Sequence, residues 1–108
     1  MAGNRVAVIG ASGYGGLQTL RLLQGHPTFS VSFLGGERSS GKRWSELVPF
    51  LPLEGDPVVR KPDAEAIAAA ADLAVLSLPN GLAATLVPGL LERGVTVVDL
   101  SADYRYRS

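Results

Sequence analysis

The chain has 108 residues, too few for two ordinary domains, and 46% of them are hydrophobic, which excludes a disordered chain. Its 10 basic and 10 acidic residues cancel, so it lacks the positive charge with which proteins bind nucleic acids or anionic membranes. It has no cysteine and one histidine, so we expect neither disulfides nor a metal site. We find no signal-peptide core and no apolar run of about 18 to 20 residues, and we therefore predict a cytoplasmic location without a membrane partner.

The first part of the chain predicts a strand, a helix and a second strand. Residues 6–9 are continuously apolar, which is typical of a strand buried on both faces. Residues 15–24 carry leucines at helical spacing and precede Gly25, a common helix stop. Residues 29–34 alternate apolar side chains with serines, which indicates a strand. This order is a β-α-β unit.

The rest of the chain continues the alternation after a proline-containing loop over residues 37–57, in which we expect one helical turn near residues 45–48. The further predicted elements are a weak strand at 58–59, a helix over 63–71 with Asp63 as N-cap, a strand over 73–78, a helix over 82–93 and a strand over 95–100. Pro88 predicts either a kink in the last helix or a second helix that begins there. We therefore predict an α/β fold, a Rossmann-like doubly wound parallel sheet, with residues 1–108 as a single domain.

The glycines between the first strand and the first helix have the spacing G-x-x-G-x-x-G in the context that a dinucleotide-binding loop requires. Gly10 permits a tight turn, Gly13 lets backbone amides approach a pyrophosphate, and Gly16 lets the helix pack close to the strand. Ser12 adds a hydroxyl donor. Glycines at such a turn can also serve the turn alone.

The loop after the second strand carries conflicting signals about the cofactor. Glu37 is an acid of the kind that binds a free ribose 2′-hydroxyl, whereas Arg38, Ser39 and Ser40 begin a segment with three cations and two hydroxyls. Because a guanidinium binds a phosphate dianion bidentately, the sequence favours NADP. A solvated charged loop is the alternative.

Two further groups of residues follow predicted strands, at the edge where parallel sheets bind ligands. Leu78 and Pro79 precede Asn80 after one strand, and backbone groups there are candidates to touch the ribose or nicotinamide. Ser101 and Asp103 follow the last strand and are candidates to orient a substrate or a neighbouring loop. Each group can instead be a strand-ending turn or a helix cap.

Four segments in order resemble the N-terminal part of the N-acetyl-gamma-glutamyl-phosphate reductases. They are Gly-Ala-Ser-Gly-Tyr-Gly-Gly at 10–16, Arg-Ser-Ser at 38–40, Leu-Ser-Leu-Pro at 76–79 and Asp-Leu-Ser-Ala-Asp-Tyr-Arg at 99–105. The glycine loop is shared with the wider semialdehyde dehydrogenase group, whereas the last string is more specific.

The resemblance implies NADPH-dependent reduction of N-acetyl-L-glutamyl 5-phosphate to N-acetyl-L-glutamate 5-semialdehyde in arginine biosynthesis, through a cysteine thioester. It implies a small-molecule substrate and a homo-oligomer when full length. The cofactor residues that it implies, together with those of the loops above, are Gly10, Ser12, Gly13, Tyr14, Gly15 and Gly16 for the pyrophosphate, Arg38, Ser39 and Ser40 for the 2′-phosphate, and Leu78 and Pro79 for the nicotinamide half. Asn80 departs from the histidine usual in the family.

The family's cysteine, histidine and substrate domain would lie beyond Ser108, so the resemblance implies a truncated, cofactor-binding part that is inactive alone and has no catalytic residue. Three alternatives stay open. One is the related reductase of lysine biosynthesis, which acts on a carrier-protein-linked aminoadipate or glutamate phosphate. Another is a non-catalytic NADP(H)-binding or regulatory module. The third is an enzyme of another family on the same fold.

Overall fold

Four parallel strands form the sheet in the computed structural model, which describes residues 4–11, 13–78 and 82–100, without the side chains of Tyr14, Leu82 and Ala83. The strands are β1 (Arg5–Ile9), β2 (Ser30–Gly35), β3 (Leu73–Leu76) and β4 (Thr96–Asp99). The helices are α1 (Tyr14–Leu23), α2 (Trp44–Leu47), α3 (Ala64–Ala70) and α4 (Leu82–Glu92). The predicted α/β class and parallel sheet are confirmed.

The strand order is β2-β1-β3-β4, and every strand pair is parallel. After β1 the chain adds β2 on one side and later adds β3 on the other, so the direction of winding reverses between β1 and β3. In open parallel sheets such a switch point opens a crevice at the carboxyl ends of the strands, where ligands bind. The loops that follow β1 and β3 therefore border the crevice.

The core has two layers, one on each face of the sheet, because successive side chains of a strand point to opposite faces. Val6 and Val8 belong to a cluster that includes Leu20 of α1. Ala7 and Ile9 belong to another cluster, with side chains of α3 and α4. All four strand residues are fully buried, as their continuous apolar run predicts.

The predicted strand at residues 58–59 is wrong as a member of the sheet, since Val58 and Arg60 form only isolated bridges, to Arg43 and Gly35. Arg60 lies beside the end of β2, where its N–H donates to Leu34 O at 2.8 Å. On its other side the segment bonds to the loop through Val59 N–H, which donates to Lys42 O at 2.8 Å. The flanking prolines, Pro57 and Pro62, lack the N–H groups that would lengthen this ladder.

The long loop is anchored by Trp44, the first residue of α2, which lies within one residue of the predicted helical turn. Its side chain is fully buried, and its Nε1–H donates to Leu51 O at 2.6 Å. The loop is thus folded onto the face of the sheet that carries α1.

The helix boundaries agree with the sequence to within a residue or two. Asp63 caps α3 as predicted, since its carboxylate accepts from Ala66 N–H at 2.9 Å. Pro88 lies inside a single helix, so the predicted alternative of a second helix starting there is wrong. Among the described residues, no helix is long and apolar enough to cross a membrane.

Candidate functional site

The turn after β1 is fixed by hydrogen bonds to the end of β2. Gly10 has a φ of 83°, a conformation that favours glycine, and its N–H donates to Gly35 O at 2.8 Å. Ala11 N–H donates to the same carbonyl at 3.2 Å, and Gly13 N–H donates to Gly10 O at 3.0 Å. These bonds fold the predicted glycine loop into a compact turn at the switch point.

Two of the glycines in this turn lie where a side chain has no space. A Cβ on Gly10 would overlap the carbonyl oxygen of Ser77, in the segment that follows β3. A Cβ on Gly16 would overlap the carbonyl oxygen of Gly10 and lie 2.8 Å from the Cα of Ala11. Because of these two close contacts, the turn after β1 packs directly against the segment that follows β3. The first turn of α1 packs directly against the turn after β1.

The amino end of α1 lies at this turn without a side-chain cap. Gly13 is the N-cap residue and is exposed, and the first turn of the helix contains no acidic residue. Gly15 and Gly16 in that turn are buried. Backbone N–H groups in a first helical turn have no acceptor within the helix, and the helix dipole is positive there. The arrangement can therefore accept an anion in front of Gly13.

Arg38, Ser39 and Ser40 lie in a turn just after β2, at the carboxyl edge of the sheet. Arg38 and Ser40 are exposed, whereas Ser39 is partly buried and packs near Gly36. Lys42 N–H donates to Ser39 O at 3.1 Å, which closes the turn. The turn presents the guanidinium and a hydroxyl to solvent, as a phosphate site requires.

Arg43, which the sequence grouped with these cations, has a structural partner. Its guanidinium lies 3.9 Å from an Asp56 carboxylate oxygen, and its backbone N–H donates to Glu46 Oε1 at 2.9 Å. Asp56 also accepts from the N–H and the hydroxyl of Ser45, at 2.8 Å each. Arg43 is thus the N-cap residue of α2 and lies outside the turn over residues 37–40, although its side chain is also exposed.

Leu78 completes the part of the site that the structure describes. It is buried, and its Cδ2 lies 3.6 Å from the position of a Cβ on Gly10, so the structure brings Leu78 and the glycine turn together. Ser12, Pro79, Ser101 and Asp103, and the side chain of Tyr14, lie outside the described residues.

One cation at this edge was missed by the sequence analysis. Arg60 is exposed, and its guanidinium carbon lies 4.9 Å from the centroid of the Phe33 ring. Gly36, two residues before Arg38, donates its N–H to Arg60 O at 3.0 Å. The available signal was the position of Arg60 directly after a short apolar segment, at the carboxyl end of a candidate strand.

The structure bears on two further features, a possible metal site and a cavity. Among the residues that it describes, no three histidine, aspartate or glutamate side chains cluster as metal ligands do. A cavity of about 420 Å³ lies at the opposite, amino edge of the sheet, beside Leu23, His26 and Phe29. It shares no residue with the glycine turn or the Arg38 turn.

Comparison with known proteins identifies relatives over nearly the whole chain. The family described as the NAD binding domain of semialdehyde dehydrogenase matches residues 5–108. An N-acetyl-gamma-glutamyl-phosphate reductase of Parasynechococcus marenigrum (strain WH8102) is 75% identical over 96% of this chain, and one of Synechococcus sp. (strain CC9605) is 74% identical over 98%. The chain spans only 29% and 30% of the length of these two relatives.

A solved structure has the same fold. The crystal structure of aspartate semialdehyde dehydrogenase with NADP from Candida albicans superimposes with a TM-score of 0.79 at 28% identity. The match covers 94% of this chain and 30% of that protein.

Proposed function

We propose a cofactor-binding function for this chain, because the chain belongs to the family of semialdehyde dehydrogenase NAD-binding domains. Residues 1–108 form a cofactor-binding domain that holds NADPH across the carboxyl edge of the sheet. The observation that carries this proposal is the glycine turn at the switch point, where Gly10 and Gly16 leave no space for a Cβ. Glycine is required there for packing, while the neighbouring Gly13 stays exposed at the amino end of α1.

The cofactor fits the residues present. Its pyrophosphate would lie in front of Gly13 and the first turn of α1, where amides and the helix dipole favour an anion. Ser12 and Tyr14 stay proposed contacts on the same segment. Leu78, whose side chain lies beside Gly10, and Pro79, which follows it in the sequence, would approach the nicotinamide half.

We assign the preference for NADPH over NADH to the turn of Arg38, Ser39 and Ser40. Arg38 is exposed and lies on a turn whose backbone is closed by a hydrogen bond, so it can meet a 2′-phosphate bidentately. The resemblance to an enzyme solved with NADP supports this choice.

The reaction that we propose for the protein to which this domain belongs is reduction of N-acetyl-L-glutamyl 5-phosphate. The acyl phosphate, NADPH and a proton give N-acetyl-L-glutamate 5-semialdehyde, NADP⁺ and inorganic phosphate, with NADPH supplying the hydride. The 75% identity to a reductase of that name supports this substrate. The chain contains no cysteine, so a thioester step would need a thiol from outside these residues, and we expect no turnover by the chain alone.

Calorimetric titration of the chain with NADPH and NADH tests the cofactor assignment. Replacing Arg38 by alanine should weaken NADPH binding about 10- to 100-fold, as loss of a charge-assisted hydrogen bond does, and leave NADH binding unchanged. Arg21→Ala is the matched control, since Arg21 is an exposed arginine in the last turn of α1. Equal losses for both cofactors in Arg38→Ala would remove its 2′-phosphate role.

A chimera tests the reaction. The segment of the Synechococcus sp. (strain CC9605) reductase that is 74% identical to this chain over 106 residues is replaced by this chain. The chimera should oxidise NADPH when N-acetyl-L-glutamyl 5-phosphate is added, and Arg38→Ala should raise its KM for NADPH. A folded chimera that binds NADPH without turnover would contradict the assignment.

Three further predictions, made from the sequence or from the resemblance, are not tested by the described residues. A homo-oligomeric assembly, a cytoplasmic location and the positioning roles of Ser101 and Asp103 stay predictions, because no contact among the described residues bears on them.

A further inference from the structure

Arg60 is held in place at the carboxyl edge of the sheet by its backbone. Its N–H donates to Leu34 O at 2.8 Å and its carbonyl accepts from Gly36 N–H at 3.0 Å, so it lies directly beside the end of β2. The chain continues from Gly36 into a turn over residues 37–40, which contains Arg38, Ser39 and Ser40. Arg60 and Arg38 therefore both lie close to the carboxyl end of β2.

The side chain of Arg60 covers an aromatic ring. Its guanidinium carbon lies 4.9 Å from the centroid of Phe33, whose side chain is 3% exposed and packs on the face that carries α3 and α4. Arg60 itself is exposed, so the guanidinium has the ring on one side and solvent on the other. The described carboxylates form ion pairs with Arg5 and Arg43 but not with Arg60. Arg60 therefore presents a flat, charged surface that none of the described carboxylates occupies.

We propose that Arg60 is a positioning residue that stacks on the adenine ring of the cofactor, with its guanidinium between that ring and Phe33. The proposal rests on the proposed function. The 2′-phosphate and the adenine are attached to the same ribose. A cofactor whose 2′-phosphate lies at Arg38 must therefore place its adenine close to the carboxyl end of β2, where Arg60 lies. A guanidinium stacks on the face of a base, and the Phe33 ring holds it in place before binding.

Adenine stacking makes a different prediction from a second phosphate contact. NADPH and NADH share the adenine, whereas only NADPH has the 2′-phosphate. Arg60→Met keeps an aliphatic stem over Phe33 and removes the planar charged group. It should weaken the binding of both cofactors by a similar factor, about tenfold, whereas Arg38→Ala should weaken the binding of NADPH alone.

The test is calorimetric titration of the 108-residue chain with each cofactor, for the wild type, Arg60→Met, Arg60→Lys and Lys61→Ala. Lys61 is the control because it is the adjacent exposed cation, and its loss should change neither affinity. Arg60→Lys should bind as poorly as Arg60→Met, since an ammonium has no flat face. Thermal unfolding of each variant establishes that its fold is retained.

The outcomes separate this inference from the proposed function. If the wild type binds neither cofactor, the proposed function fails and the role of Arg60 fails with it. If the wild type binds NADPH and Arg60→Met binds each cofactor as tightly as the wild type does, the adenine role alone is overturned. A loss confined to NADPH, or full rescue by Arg60→Lys, would also overturn it, since either result would make Arg60 a phosphate contact.

Discussion

Gly16 is the residue at which the packing of the site can be tested most simply. It lies inside α1, where alanine would normally stabilise a helix by about 1 kcal/mol. A Cβ there would instead overlap Gly10 O and crowd Ala11. We therefore expect Gly16→Ala to lower the free energy of unfolding by about 1 to 3 kcal/mol, as overpacking does, and to weaken NADPH binding. Denaturant unfolding and calorimetry measure the two effects.

Gly25 provides the control for this prediction. It has a φ of 76°, but nothing lies within 4 Å of a Cβ placed on it, and it lies after α1 at the amino edge of the sheet. Gly25→Ala should cost about 1 to 2 kcal/mol in stability through backbone conformation alone and leave the NADPH affinity unchanged. A stable Gly16→Ala variant with wild-type affinity would show that the helix does not need this close approach.

Single residues also show what the sequence could reveal about the site. The glycine turn was predictable because a tight turn and close packing each require glycine at a fixed spacing. The ion pair between Arg43 and Asp56 was not, since it depends on how the loop folds over 12 intervening positions. Arg60 was missed for the same reason, because only tertiary structure places it over Phe33.

At the scale of elements, the cap of α3 is a local feature with a measurable energy. The Asp63 carboxylate accepts from Ala66 N–H at 2.9 Å, and this helix has only 7 residues. Asp63→Ala should lower the free energy of unfolding by about 1 kcal/mol, whereas Asp63→Asn, which retains a capping oxygen, should be close to the wild type. Denaturant unfolding measures both, and equal losses in the two variants would contradict the capping role.

The elements also show where local pattern stops determining structure. Strands β1 and β3 were predictable because burial on both faces leaves continuous apolar runs, and β2 because apolar side chains alternate with serines. Val58 and Val59 carry the same signal, yet flanking prolines and hydrogen bonds to the 41–42 loop leave only isolated bridges. Pro88 lies in α4 without ending the helix, since the packing of Leu86, Val87 and Leu90 against the core offsets the missing N–H.

At the scale of the whole molecule, topology turns separate loops into one site. The reversal of winding between β1 and β3 places the glycine turn against Ser77 and Leu78 and bonds it to the end of β2. The cavity of about 420 Å³ beside His26 lies at the amino edge of the sheet, at the other end of the strands. We therefore expect the cofactor to bind at the carboxyl edge.

Backbone amide NMR of the 108-residue chain, titrated with NADPH, shows where on the domain the cofactor binds. We predict saturable shifts of the amides of Gly10, Gly13 to Gly16, Arg38 to Ser40 and Arg60, and unchanged amides at His26 and Phe29. Shifts confined to the residues around the amino-edge cavity, or no saturable shifts, would contradict cofactor binding at the carboxyl edge.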